Sequence, residues 1–303
     1  MTSSRAGVLS AFAATVIWGL SPLYYKLLAE VPALEVLAHR TVWSALIFTA
    51  VLVAQRDTRQ LRHFADARSF VALVLASLLI SLNWGLFILS VQLGWVTETS
   101  LGYYMMPLIM VFLGVVVFRE RLDRLQWAAV GLAALAVVVL TIGLGHLPWL
   151  SLTLAVSFAF YGLIKKRLAA GPVASVTAEL LLLLPLALGY LLVVHATGGG
   201  AFGQDLRTSF LLIFSGLISA LPLIFFSSAA RRVNLATLGL LQYLNPTLQF
   251  FCAVVIFREG FSSVQAVAFG LIWTGLAIYS TRSIRQEKAR RRMSAASPED
   301  VAI

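Results

Sequence analysis

Charged side chains are scarce in this chain. Asp, Glu, Lys and Arg make up 12% of its 303 residues, about half of the roughly 25% found in an ordinary soluble protein. So few charges cannot coat a globule of this size, which excludes a soluble enzyme and a disordered regulator. Cysteine is nearly absent. Cys252 stands alone in an apolar run, so it can build neither a disulfide nor a zinc site, and a disulfide-built secreted domain is excluded. Of the four histidines, His63 and His146 fall in loops, His195 sits at a span end, and none belongs to an HExxH or other ligand cluster. No GxxxxGK[ST] loop is present to cradle a nucleotide, and nothing resembles a nucleophile with its base. The sequence therefore predicts no enzyme, no metal and no cofactor.

Apolar residues are what the chain has in abundance: 60% of it is hydrophobic, with a mean hydropathy of +0.90. A spanning helix needs about 20 apolar residues. Continuous Leu/Ala-rich runs between charged or Gly/Pro breaks give ten predicted spans, over 6–28, 33–54, 69–91, 98–118, 125–143, 147–164, 176–195, 208–229, 236–257 and 262–281. A barrel would need alternating strands instead. The first run continues into Trp18-Gly19-Leu20-Ser21-Pro22 with no convincing cleavage site, so it reads as a retained span rather than a signal peptide.

Lys and Arg set the orientation. With the N-terminus inside, 19 of the 23 fall on the inner side and 4 on the outer, namely Lys26, Arg40, Arg207 and Arg258. Both termini are thus expected in the cytoplasm. The formal charge of +10 then reflects topology and a basic tail over 282–303 facing anionic lipid, without a nucleic-acid partner.

The chain repeats itself. A shift of 139 residues brings Tyr104 onto Tyr243, Pro107 onto Pro246, Phe118-Arg119-Glu120 onto Phe257-Arg258-Glu259, Gln126 onto Gln265 and Gly131-Leu132 onto Gly270-Leu271. Between residues 104 and 132, 12 of 29 positions are identical without a gap. Lys26 meets Lys165 and Arg40 meets Glu179 at the same shift. The expected organisation is two five-helix halves, 1–143 and 144–281. An odd number of spans per half forces the second copy into the membrane upside down. Inverted repeats with a site near the midplane at their interface are common among secondary transporters.

Several segments also carry a family likeness. Gly7-Val8-Leu9, Trp18-Gly19, His39-Arg40-Thr41-Val42-Trp43-Ser44, Asn83-Trp84, Ser100-Leu101-Gly102-Tyr103, Ser157-Phe158-Ala159-Phe160-Tyr161-Gly162 and Gln242-Tyr243-Leu244-Asn245-Pro246-Thr247 look like the RarD branch of the EamA-type drug/metabolite transporter (DMT) superfamily. The amino-acid exporter YddG belongs to the same superfamily. The resemblance runs from about residue 6 to 281. It implies an all-α membrane protein of ten transmembrane helices in two inverted repeats around a central cavity, located in the bacterial plasma (inner) membrane and exporting small metabolites.

Polar side chains inside spans are costly and mark cavities or helix contacts. Gln242, Asn245 and Gln249 share one helix face beside Pro246, and the equivalent face in the first half carries Tyr103, Met106 and Met110 beside Pro107. Trp18, Tyr25, Asn83, Trp84 and Tyr161 complete the set expected to line a substrate site. Tyr24 and Tyr25 also suit an interfacial aromatic belt. Pro107 and Pro246 are candidate gating kinks. Two acids, Glu98 and Glu179, lie in or beside spans away from other charge. They suit either proton coupling or the anchoring of helix N-termini. Arg40, with His39, is expected at the outer entrance of the second span, there to attract a carboxylate or to pair with Glu98.

These features predict a secondary exporter of small metabolites working by alternating access, with neutral or aromatic amino acids as its first substrates. Efflux of lipophilic drugs is the alternative; it would favour a more apolar cavity and a membrane-embedded acid. A lipid-modifying membrane enzyme would need a reactive cluster near one face. The expected partners are a small-molecule substrate and membrane lipids. A chain already duplicated has less need of a second copy than a single-repeat relative, so a monomer is compatible with the sequence, which leaves the oligomeric state open.

Overall fold

The computed structural model describes residues 3–119, 122–165, 168–230, 232 and 241–296. Glu120 and Arg121, Lys166 and Arg167, Arg231, the start of the ninth predicted span (236–240) and the end of the tail (297–303) lie outside the described residues. Helices make up the fold: α1 Ser3–Lys26, α2 Ala33–Ala54, α3 Ala67–Leu93, α4 Val96–Phe118, α5 Arg124–Leu144, α6 Trp149–Lys165, α7 Pro172–Ala196, α8 Leu206–Ala230, α9 Leu244–Phe251 and α10 Ser263–Ala296. A short 3-10 helix, Thr58–Phe64, joins α2 to α3, and a π-helical turn, Cys252–Ile256, extends α9.

Among the described residues, eight of these helices are long and apolar enough to cross a membrane: α1 to α5, α7, α8 and α10. Two apolar segments, Trp149–Lys165 and Leu244–Ile256, are shorter. Many large apolar side chains face outward, Ile142, Leu186 and Leu192 among them, each at least two thirds exposed. Such a surface suits lipid and not water. Several hydroxyls inside the bundle are satisfied within their own helices. The hydroxyls of Thr15, Thr41, Ser77, Ser90 and Thr177 donate to carbonyls one turn back in their own helices, since a bilayer offers no water to take their place. Pro22 has no N–H for the Trp18 carbonyl, and the neighbouring Ser21 hydroxyl donates to it at 2.7 Å instead.

Helix crossings rely on small residues, which let backbones approach. A Cβ on Gly102 of α4 would stand 2.7 Å from the Ser151 carbonyl of α6, and one on Gly19 of α1 would stand 2.7 Å from Leu248 Cβ of α9. The helices pack α2 on α7, α4 on α9 and α5 on α10, with α1 against α8 and α3 against α6.

Positions 139 residues apart share local chemistry. Asp123 and Gln126 form a capping box at the start of α5. Ser262 and Gln265 exchange the same pair of hydrogen bonds at the start of α10. Arg119, after α4, and Arg258, after the π turn, both adopt a φ of 55°, a left-handed conformation that few non-glycine residues take. The tail expected over 282–303 begins as a continuation of α10, whose backbone stays helical to Ala296.

Candidate functional site

A cavity of about 320 Å³ lies inside the bundle, walled by side chains from before and after residue 144. Trp18, Tyr25, Trp84, Tyr103, Met106, Tyr161, Gln242 and Asn245 all line it, as do Pro107 and Pro246. The amide stripe and Tyr103 and Met106 of the Tyr/Met stripe, separate in sequence, therefore face one space, whereas Met110 is exposed and lies off the wall. The stripes meet because α4 packs on α9, and polar contacts hold that crossing. The Ser100 hydroxyl donates to the Pro246 carbonyl at 2.8 Å, and the hydroxyls of Tyr104 and Thr247 lie 2.6 Å apart. Gln249 Nε2 donates to Asn245 Oδ1 at 2.9 Å, which fixes the Asn245 amide on the wall.

Five expectations about position need correcting. Asn83 is fully buried behind the wall rather than on it. Its Nδ2 donates to the Leu154 carbonyl at 2.8 Å and to Ser157 Oγ at 2.9 Å, and its Oδ1 accepts from the Tyr103 hydroxyl at 3.0 Å. The amide is thereby consumed in holding Tyr103. Tyr25 is no belt residue, being 2% exposed and edge-on to Phe87.

His39 and Arg40 do not form one entrance. Adjacent helical residues point about 100° apart. His39 stacks on Phe202 at 5.0 Å beside Glu35, while Arg40 turns into the cavity. Arg40 does not pair with Glu98. Its Nε donates to Ser219 Oγ, and its guanidinium lies 3.6 Å from the centre of the Trp84 ring. Glu179 anchors no helix terminus. It lies within α7, 2% exposed, where it accepts from Lys165 Nζ at 2.6 Å and from the Tyr161 hydroxyl at 3.1 Å.

Glu98 stays in the first turn of α4. The carboxylate that caps that helix is Glu259, which accepts from the Val96 and Thr97 amides at 2.8 and 2.7 Å and from the Thr97 hydroxyl at 2.8 Å. Glu259 was visible in sequence only as part of a repeated Arg-Glu pair. Two further contacts tie the same end of the bundle. Gln92 Nε2 donates to the carbonyls of Leu28 and Val31, and Glu35 Oε1 accepts from the Ala201 amide at 2.7 Å. Ser219, Phe158 and Ser44 also line the cavity. A single hydroxyl in an apolar run carries no signal that would have singled out Ser219.

An apolar helical bundle enclosing a cavity walled mainly by apolar and aromatic side chains with a few polar groups is compatible with a membrane transporter, and similarity to known proteins agrees. Residues 5–142 match the EamA-like transporter family. Protein RarD of Streptomyces exfoliatus is 44% identical over 97% of this chain and 94% of the relative. Protein RarD of Escherichia coli strain K12 is 38% identical over 94% of this chain and 97% of the relative, and the uncharacterized transporter YojE of Bacillus subtilis strain 168 is 38% identical over 95% and 98%. A solved crystal structure shares the fold with a TM-score of 0.60 at 20% identity, covering 91% of this chain and 98% of that one. The chain belongs to the EamA-like transporter family, as a RarD-like member of the drug/metabolite transporter superfamily.

Proposed function

We propose that this integral membrane protein is a secondary exporter of small metabolites, built as two inverted repeats, 1–143 and 144–281, that alternate access to one central site. The observation that carries the reading is the cavity itself. Its wall is shared between the two halves, and the equivalent faces beside Pro107 and Pro246 both reach it. The matched capping boxes and the matched φ values of Arg119 and Arg258 support the repeat. The excess of Lys and Arg on one side supports cytoplasmic termini in a bacterial inner membrane.

The three ties made by Glu259, Gln92 and Glu35 join loops that the charge count puts outside. The cavity, in contrast, extends along α10 to Tyr279 and Ser280, beside the start of the basic tail. We read the conformation as closed outside and facing inward. To reverse it, those ties must break.

Neutral and aromatic amino acids are the first substrates to test. Amides and aromatic faces on one wall suit a solute with both hydrogen-bonding and apolar parts. Drug efflux is the alternative reading: the largely apolar wall and the buried Glu179 suit it, and the absence of an acid among the described residues lining the cavity counts against it. The experiment is uptake of a labelled amino-acid panel into proteoliposomes, with and without a pH gradient. Saturable flux of an aromatic or neutral amino acid is expected. Flux no greater than in protein-free liposomes for the whole panel would overturn the substrate assignment. An effect of the gradient on accumulation would identify proton coupling.

A further inference from the structure

Among the described residues, the cavity wall carries one cation, and none of them supplies it with an anion. Arg40 is 5% exposed and lines the cavity. Its Nε is spent on Ser219, whose own proton goes to the Ser215 carbonyl at 3.0 Å, so the Ser219 oxygen is turned to accept. One face of the guanidinium is covered by Trp84 at 3.6 Å. Its two Nη groups have no hydrogen-bond partner among the described residues, and no carboxylate there lies within ion-pair distance.

The position 139 residues later shows the contrast. Glu179 occupies that slot and is closed off by Lys165 and Tyr161. The charge in the second half is thus settled inside the protein, whereas the charge in the first half faces the cavity. Burying an unpaired cation is costly unless something supplies the missing anion. A guanidinium held flat by an aromatic ring and fixed at Nε presents its Nη edge as a two-pronged donor, the geometry that binds a carboxylate end-on.

We infer that Arg40 is the specificity-determining residue of the cavity and takes the carboxylate of a small organic anion. The inference rests on the proposed transport role for its setting and adds a substrate class to it. With one fixed cation and no acid among the described lining residues, the cavity favours a monocarboxylate over a zwitterion of the same skeleton. An amino acid enters through its carboxylate, and its ammonium finds only amide oxygens and aromatic faces. The cavity rejects a pure cation.

Four compounds with one skeleton test this: 3-phenylpropanoate, phenylalanine, 3-phenylpropanamide and phenethylamine. Their binding to the full-length protein in detergent is measured by calorimetry, for the parent, Arg40→Gln and Arg40→Lys. Expected affinity falls in the order acid, amino acid, amide, amine. Arg40→Gln should weaken the acid by about tenfold or more and leave the amide nearly unchanged, as loss of a charge-assisted hydrogen bond requires. Arg40→Lys should restore part of the loss, because it restores charge without the fork. Parent protein that binds no acid, or that binds acid and amide alike, would overturn the inference. So would a monodisperse Arg40→Gln protein that binds the acid as the parent does. Flux measurements separate this from the transport role. Charge-dependent binding without flux defeats transport alone, and flux indifferent to charge defeats the assignment of Arg40 alone.

Discussion

Arg40 and Glu179 occupy equivalent places in the two halves of the chain and treat their charge in opposite ways. Glu179 is buried against a cation from the next helix back, and a tyrosine hydroxyl completes its hydrogen bonding. Arg40 is as deeply buried but has, among the described residues, a serine and an indole ring as its partners. On the proposed repeat, the difference is a division of labour between matching positions. One copy keeps a neutral pair that fastens α6 to α7, and the other exposes a cation to the cavity.

The comparison can be broken most forcefully at Glu179. Glu179→Gln leaves Lys165 without its anion, and removing one partner of a buried pair costs on the order of 3 kcal/mol. A large drop in thermal unfolding temperature in detergent is expected. Replacing both partners, Glu179→Gln with Lys165→Met, should recover most of it. Arg40→Gln should shift stability by less than about 1 kcal/mol, because the lost Ser219 and Trp84 contacts are offset by removal of a buried charge. Equal losses at the two positions would show that the asymmetry has no energetic meaning.

Glu259 gives the next largest effect. Glu259→Ala uncaps α4 and frees two amides and a hydroxyl, at a cost of about 2 kcal/mol, the upper range for a cap. On the proposed topology this contact ties the outer end, so the variant should also let a Cys placed at Trp18 react faster with a reagent added from outside. Unchanged reactivity would count against an outer closure.

Within the cavity the effect is smaller. Asn245→Leu removes an amide from the wall and should weaken substrate binding about fivefold, or about 1 kcal/mol, with folding unchanged. Binding equal to the parent's would take Asn245 out of the site. The smallest effects are those of the matched caps. Asp123→Ala and Ser262→Ala should each cost about 0.5 kcal/mol, and similar values are expected because each removes the same box. A clear inequality in unfolding temperature would weaken the equivalence of the two helix starts.

Much of the helix pattern was legible because a membrane span is a long apolar run: α1 to α8 begin and end within about four residues of the predicted limits, whereas α10 continues past 281 to Ala296 and the start of the ninth predicted span lies outside the described residues. The two stripes beside Pro107 and Pro246 were legible from spacing alone, since residues three and four apart share a helix face. Tertiary partnership was not. Lys165 sits among basic residues that set topology, and nothing local says that it turns inward to Glu179. Asn83 resembles any intramembrane amide, yet neighbouring helices use up its donors and acceptor. Glu259 and Glu35 are ordinary loop and helix-end acids in sequence, and their roles appear only when the loops they bind, at Val96 and Ala201, come alongside. Arg40 was legible as a candidate for a carboxylate but was misplaced at the entrance, because burial depth depends on which face of α2 meets α8.

The proposed opposed orientation of the halves is tested most directly by paired cysteine labelling. In a Cys252→Ala background, Asp123→Cys and Ser262→Cys mark the equivalent capping positions of α5 and α10. With a membrane-impermeant maleimide on intact cells, Ser262→Cys should label from outside and Asp123→Cys only after permeabilisation. Labelling of both from the same side would contradict the inverted arrangement.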